Sequence, residues 1–339
     1  MTTERSWGSG VFEVSGTYLN TPSIGIPPAH AAEAVGRAVE RWRTGANGAP
    51  EFDEAVHLGR DGFARMVGVP AGTVAIGATA SSLIGMVAAG LPDGARVLTA
   101  KNDFTSVVFP FAAQAHRGIT VTETALADLP AEAPGYDLVA VSVAQSADGA
   151  LADLDALRAA GVPVLLDATQ AAGWLPLRLD WADWVVAAGY KWLLAPRGAA
   201  WMAVHPRALE RTVPVAANWY GAQDPWEATY GLPLRLADSA RRFDLSPVWL
   251  AQVGAAAALS YLGELDLEAV HAHCVGLANS LRRGLGLPEA NSAIVSFDAD
   301  VERLAAAGIR AAARAGKART GFFVYNTASD VERILHALE

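Results

Sequence analysis

Apolar and polar positions divide the chain into two kinds of segment. Ala29 to Arg43 and Phe52 to Val67 repeat apolar residues at helical spacing with Arg and Glu on one side, so both predict amphipathic helices. Short apolar runs follow: Val74 to Ile76, Arg96 to Ala100, Tyr136 to Val143, Val162 to Leu166 and Val185 to Ala188. Runs of this length read as buried strands. Leu151 to Ala160 reads as a helix crossing between two of them. Such alternation implies an α/β fold with a large, mainly parallel sheet. Val248 to Leu262 and Leu267 to Leu285 read as long helices, the first leading out of the sheet domain. Beyond them the pattern predicts a strand at Ala293 to Phe297, a helix at Val301 to Ala307, a strand at Phe322 to Tyr325 and a helix at Ser329 to Leu338. This is a small C-terminal α+β domain. The expected division is a large domain over residues 15–262 and a small one over 263–339, joined by an N-terminal arm, 1–14.

Composition narrows the class. Over 339 residues, 52% are hydrophobic and 18% charged, which describes a globular chain with ample core. A net charge of −9 and no Lys/Arg run argue against a nucleic-acid or anionic-membrane surface. A single cysteine, Cys274, permits no intrachain disulfide and no cysteine metal cluster, which fits a reducing cytoplasm. Residues 1–11 contain no apolar signal core. Thr73 to Leu91 and Leu245 to Gly263 are uncharged and near spanning length, but Gly, Ser, Thr or Gln interrupt them, so they read as core segments. His271 and His273 lie two apart in a helical pattern and point in different directions, so no metal site is expected.

The candidate chemistry centres on Val185-Val186-Ala187-Ala188-Gly189-Tyr190-Lys191-Trp192-Leu193-Leu194-Ala195-Pro196-Arg197-Gly198. Lys191 follows a buried strand in an apolar setting. A desolvated lysine is the residue that forms Schiff bases with carbonyl compounds. Taken alone, it is read equally well as a lysine snorkelling its charge to the surface. Upstream, Val162-Pro163-Val164-Leu165-Leu166-Asp167 is a strand that ends in an aspartate, and open α/β sheets bind ligands at strand carboxyl ends. Asp167 can cap the next helix, or it can pair with a pyridinium nitrogen. Lysine and aspartate together, each after its own strand, point to pyridoxal 5'-phosphate (PLP).

Asp167-x-x-Gln170-x-x-Gly173 and Tyr190-Lys191-Trp192-Leu193-x-x-Pro196-x-Gly198 resemble the class V aminotransferase superfamily of fold-type I PLP enzymes. That group includes cysteine desulfurases, kynureninases and isopenicillin N epimerase-like proteins. The resemblance implies a PLP enzyme that acts on an amino acid or amine through a Schiff base on Lys191, with Asp167 holding the ring nitrogen protonated. Gly77-Ala78-Thr79-Ala80-Ser81 resembles the family's phosphate loop, so Ala78, Thr79 and Ala80 are expected at the phosphate, although Ala80 stands where an acidic residue is usual. Phe104 is expected to stack on the pyridine ring, with a core or helix-start role as the plainer reading. Desulfurases carry histidine at that place, and kynureninase-like members carry phenylalanine.

By the same resemblance Gln145 lies near the cofactor's phenolic oxygen, Gln170 near that oxygen or the Schiff-base lysine, Ala168 under the ring, and Tyr190 at the phosphate. Ala188 replaces a phosphate-binding serine. Ser246, in a stretch that resembles the family's Arg-Phe-x-x-Gly-Thr-Pro with Leu245-Ser246 in place of Gly-Thr, and Trp219 are candidates to reach the neighbouring subunit's cofactor, with plain loop packing the equal alternative for both; the first reading implies a homodimer with a shared active site. Lys317-Ala318-Arg319 to Tyr325-Asn326-Thr327 resembles the motif whose arginine binds the substrate carboxylate; Arg319 is the match, and its planar fork suits a carboxylate. Asn20 and Thr21, on an extended N-terminal arm, are expected near substrate.

The shared residues leave transamination, epimerisation and C–S or C–C cleavage open. Desulfurases use a cysteine just before the arginine motif; residues 285–319 contain none, so a desulfurase that forms a persulfide on the enzyme is not expected. The rival outside this class is a non-catalytic ligand-binding protein in which Lys191 is structural.

Overall fold

The computed structural model describes residues 11–339, so the expected signal-free N-terminus and most of the arm 1–14 lie outside the described residues. After a two-residue strand β1 (Thr17–Tyr18), the main sheet is built from β2 (Val74–Gly77), β3 (Arg96–Ala100), β4 (Thr120–Thr124), β5 (Leu138–Ser142), β6 (Val164–Asp167), β7 (Trp184–Ala188) and β8 (Ala200–Val204). Their order is β2-β8-β7-β6-β5-β3-β4. Pairing is parallel except at β8, which runs antiparallel to both β2 and β7. β3 lies between β4 and β5, so the chain leaves it first to one side and then to the other. This reversal opens a crevice beyond the strand ends, where ligands of such sheets bind.

Both faces of the sheet are covered, and successive strand residues serve opposite faces. Val164 and Leu166 join one core with Phe63, Trp201 and Leu259, beneath the helices Asp53–Val67 and Trp249–Gly263. Leu165 joins the other with Leu83, Val87 and Phe111, beneath the helices Ala80–Gly90 and Thr105–Ala112. Gly62 lets two helices touch: a Cβ there would sit 2.6 Å from the Cβ of Leu259. A buried ion pair locks β2 in place. Arg60 reaches Asp244 at 2.7 Å, and Asp244 accepts the Ile76 N–H at 2.8 Å. Burial pushes the Asp244 pKa up even beside Arg60, so losing that arginine would strand a desolvated charge. The pair fixes the strand that leads directly into Ala78 and Thr79.

A second sheet, ordered β11-β12-β9, contains β9 (Ile294–Phe297), β11 (Ala312–Arg314) and β12 (Lys317–Gly321), all antiparallel. The helices Leu267–Gly284 and Ala328–Leu338 cover it. The arm runs along this sheet: β1 pairs with β10 (Ile309–Arg310), and the Gly321 N–H donates to the Leu19 carbonyl. The strand expected at Phe322 to Tyr325 lies five residues earlier. All four of those residues are buried, as filling for a loop in which the Phe323 N–H donates to Asn326 Oδ1. Their apolar run reflects that packing and not sheet pairing. No described helix is long and apolar enough to cross a membrane.

Candidate active site

The carboxyl ends of β2, β3, β5, β6 and β7 converge on one cleft of about 600 Å³, part of it open to solvent. Its walls include Ala78, Thr79, Phe104, Ser146, Asp167, Thr169, Gln170, Tyr190 and Lys191. The register explains the gathering. Asp167 is the last residue of β6 and sits opposite Ser142, the last of β5. Lys191 comes three residues after β7, on a turn held by Gly189 N–H donating to the Ala199 carbonyl. The arm closes over this turn. Gly25 N–H donates to the Tyr190 carbonyl at 2.9 Å, and a Cβ on Gly25 would fall 2.0 Å from the Lys191 oxygen. Only glycine allows that approach.

Two opposite charges are buried here without pairing. Lys191 is 5% exposed and makes no salt bridge among the described residues. Burial is the main force lowering its pKa, to about 8; Asp167 pulls it back up, and Arg319, Arg314 and Arg197 push it down. Lys191 Nζ lies 5.2 Å from the centroid of the Phe104 ring and 5.7 Å from that of Tyr190. Asp167 is 4% exposed and its pKa is raised, chiefly by burial, against hydrogen bonds from Thr169 and the charge of Lys191. The Thr169 N–H donates to its Oδ1 at 2.8 Å, while the Thr169 hydroxyl accepts the Ala188 N–H. A buried carboxylate so weakly compensated is a receptor for a cationic ring N–H.

At the other end of the cleft, Thr79 caps the helix Ala80–Gly90 by accepting the Ser82 N–H at 3.2 Å. Ala80 and Ser81 open that helix, and its first turn carries no acidic side chain. Free N–H groups at a helix start favour a phosphate. Ala188 has no hydroxyl to offer, but Ser81, Ser106 and Arg197 also line the cleft, with Arg197 stacked 5.0 Å from the Tyr190 ring centroid. The residues present therefore fit PLP: an amine, a carboxylate for a ring nitrogen, and an anion site.

Arg319, on β12, is 1% exposed. Its Nη1 donates to the Ser146 carbonyl and hydroxyl at 2.5 and 3.2 Å, and its Nη2 to the Ser23 hydroxyl at 2.8 Å. Its Nε is buried without a partner. Burial lowers its pKa to about 10, with Arg314 adding to the shift. Gln170 bridges this arginine's surroundings to the cleft, donating to Ser146 Oγ and the Pro22 carbonyl and accepting from Trp192 Nε1 at 2.8 Å.

Several expected residues lie elsewhere. Gln145 turns its amide towards Asp103 (3.3 Å) and the Ser142 carbonyl, because Asp103 is buried and needs donors. Ser146 takes the cleft position instead. Ala168 is fully buried behind the wall. Thr21 spends its hydroxyl on Tyr325 at 2.5 Å. Asn20 does not line the cleft, and its Oδ1 is buried without a partner. Trp219 packs on Tyr220 and Trp226, and Ser246 is exposed; both lie away from this chain's own cleft, consistent with residues assigned to a neighbouring subunit's site. Ser23, Ser146, Thr169 and Arg197 escaped the sequence reading. Thr169 and Ser146 flank residues that it did single out, whereas Ser23 comes from across the chain and carries no motif.

The lowered Lys191 pKa sets a pH profile for the apo protein. Below about 8 the amine is mostly protonated and unreactive. The rate at which added PLP attaches to it, followed by absorbance, rises with pH and levels off above about 8. Asp167→Asn removes the charge that holds the pKa up, so its plateau begins at lower pH. A rate still rising towards the ordinary lysine pKa of about 10.4 contradicts this electrostatic picture.

The sequence matches the aminotransferase class-V family over residues 38–296. An uncharacterized aminotransferase of Bacillus subtilis, YcbU, is 28% identical over 264 residues, which span 71% of this chain and 69% of that protein. Isopenicillin N epimerase of Streptomyces clavuligerus is 30% identical over a shorter stretch, 37% of this chain and 33% of the epimerase. The cystine C–S lyase C-DES, solved with cysteine persulfide, has the same fold, with a TM-score of 0.85 at 21% identity over 96% of this chain and 97% of that one. A family match across most of the chain, on a fold-type I architecture, makes this protein a member of the aminotransferase class-V family and a PLP-dependent enzyme.

Proposed function

We propose that the enzyme acts on an α-amino acid by aminotransferase-like chemistry, with Lys191, Asp167 and Arg319 as its working residues. One observation carries this reading: Lys191 and Asp167 face one cleft, underpaired, beside a buried arginine with only neutral partners. Bound there, PLP supplies an electron sink for the substrate's Cα. Asp167 holds a proton on the ring nitrogen. Arg319 binds the substrate carboxylate and so orients the Cα–H bond. Lys191, with its pKa near working pH, moves the proton at Cα.

A cysteine-independent C–S lyase is the second reading. Cys274 is fully buried in the helix Leu267–Gly284, and burial pushes its thiol pKa up, so it cannot serve as a nucleophile. β11 passes into β12 through two residues, leaving no room for a cysteine-bearing loop before Arg319. The likeness to a cystine lyase in fold adds to this reading. A non-catalytic protein would leave the poised lysine without a task.

A homodimer with a shared site and a cytoplasmic setting complete the proposal. Tyr230 and Leu232 are 88% and 89% exposed, next to Trp226 and Trp219, which suits a surface covered by a second copy. Ser246 is also exposed. Light scattering should then give twice the chain mass, and Leu232→Asp should lower it; a wild-type mass of one chain contradicts the dimer.

The reaction is tested by offering single amino acids to the PLP-loaded protein, with and without a 2-oxo acid. Transfer of the amino group that requires the acceptor is expected. Release of ammonia or a sulfur product without acceptor favours the lyase instead. Arg319→Gln should raise KM by about tenfold to a hundredfold, the usual worth of a charge-assisted pair. No product from any amino acid, or an unchanged KM, contradicts the proposal.

A further inference from the structure

The hairpin that carries Arg319 presents three cations on one face. In its register Ala312 lies opposite Arg319 and Arg314 opposite Lys317. Paired residues share a face, and so do positions two apart, so Arg314, Lys317 and Arg319 all project to the same side. Arg314 and Arg319 are diagonal neighbours, about 7–8 Å apart at the backbone. Lys317 has found a carboxylate, Asp298 at 3.6 Å. Its two neighbours have not.

Arg314 and Arg319 instead share one hydroxyl. Ser23 Oγ accepts from Arg319 Nη2 at 2.8 Å and from Arg314 Nη2 at 3.4 Å. The remaining hydrogen bonds of both side chains go to neutral acceptors: the Ala313 carbonyl for Arg314, and the Ser146 carbonyl and hydroxyl for Arg319. Two guanidinium groups converging on one uncharged oxygen repel each other, and an exposed Arg314 is free to swing away. The chain does not lack acids, with 35 Asp and Glu against 26 Lys and Arg. Arg314 nonetheless lies close enough to the cleft for its charge to be felt at both Lys191 and Arg319.

The charge count of the cleft then has a remainder. The helix start at Ala80 and Arg197 suit the cofactor's phosphate. Arg319 suits one carboxylate. Arg314 is left over, on the same Ser23 hydroxyl as Arg319. We propose that Arg314, beside Arg319 and Ser23, is a second anion subsite, so that the substrate is an α-amino acid with a further negative group, such as a carboxylate, at the end of its side chain. This rests on the reading of Arg319 as the α-carboxylate site. Arg314 is then a specificity residue: it selects the substrate's charge without touching the reacting atoms.

Calorimetry on the PLP-loaded protein tests this without turnover. Succinate, glutarate and adipate are compared with butyrate, valerate and hexanoate. At least one diacid should bind wild type about tenfold or more tighter than its monoacid counterpart. Arg314→Gln should erase that diacid-over-monoacid preference, and Arg314→Lys should restore part of it. The same variant should lower the ratio of kcat/KM for an acidic amino acid to that for its amide analogue by about tenfold to a hundredfold. No diacid preference in wild type, or an equal loss for both ligand classes in Arg314→Gln, overturns the subsite. Failure of all amino acids to react while the diacid preference holds would instead count against the aminotransferase reading alone.

Discussion

Everything in this molecule converges on one electrostatic constraint: a lysine and an aspartate buried at neighbouring strand ends with no salt bridge between them. Burial drives each towards its neutral form, the amine down to about 8 and the carboxyl upward. Such an arrangement costs folding free energy, and the fold holds it by fixing the surrounding backbone. β6 and β7 set the two positions by register, Thr169 ties them together, and the arm clamps the lysine turn through Gly25. A cationic ring with a carbonyl to offer relieves both charges at once, which is why PLP suits the cleft and a neutral ligand does not.

The rest of the architecture supplies anion receptors around that pair. A helix start without acids lies at one end, and a buried arginine with neutral partners at the other. The two receptors come from different parts of the chain, one fixed by the Arg60–Asp244 pair under β2 and the other by the C-terminal hairpin. The arm from Leu19 to Gly25 links the hairpin to the lysine turn, pairing with Gly321 before its Gly25 N–H reaches the Tyr190 carbonyl. Substrate recognition and cofactor chemistry are thus coupled through a short extended segment with few side chains of its own to contribute.

Much of this was legible in the sequence, because it depends on local pattern. The apolar runs gave five of the seven strands of the main sheet, missing β4 and β8, and Lys191, Asp167, Thr79 and Arg319 each stand at a motif that states its own strand end or helix start. The resemblance to class V aminotransferases then joined them. What was not legible depends on contacts across the chain. Gln145 and Thr21 bear the right groups, but Asp103 and Tyr325 claim them through space. Ser23 becomes important only because the arm folds against β12. The four apolar residues after Gly321 look like a strand, yet a buried loop needs the same composition. Trp219 and Ser246 lie away from this chain's cleft, and any role there needs a second copy.

The most direct measurement is borohydride reduction of the PLP-loaded protein, followed by peptide mass mapping. The chain has three lysines, Lys101, Lys191 and Lys317, so the assignment is unambiguous. The reduced cofactor is expected on Lys191, in near-stoichiometric amount, and on no lysine after Lys191→Ala. Cofactor fixed to Lys101 or Lys317, or to no lysine at all, would contradict this expectation.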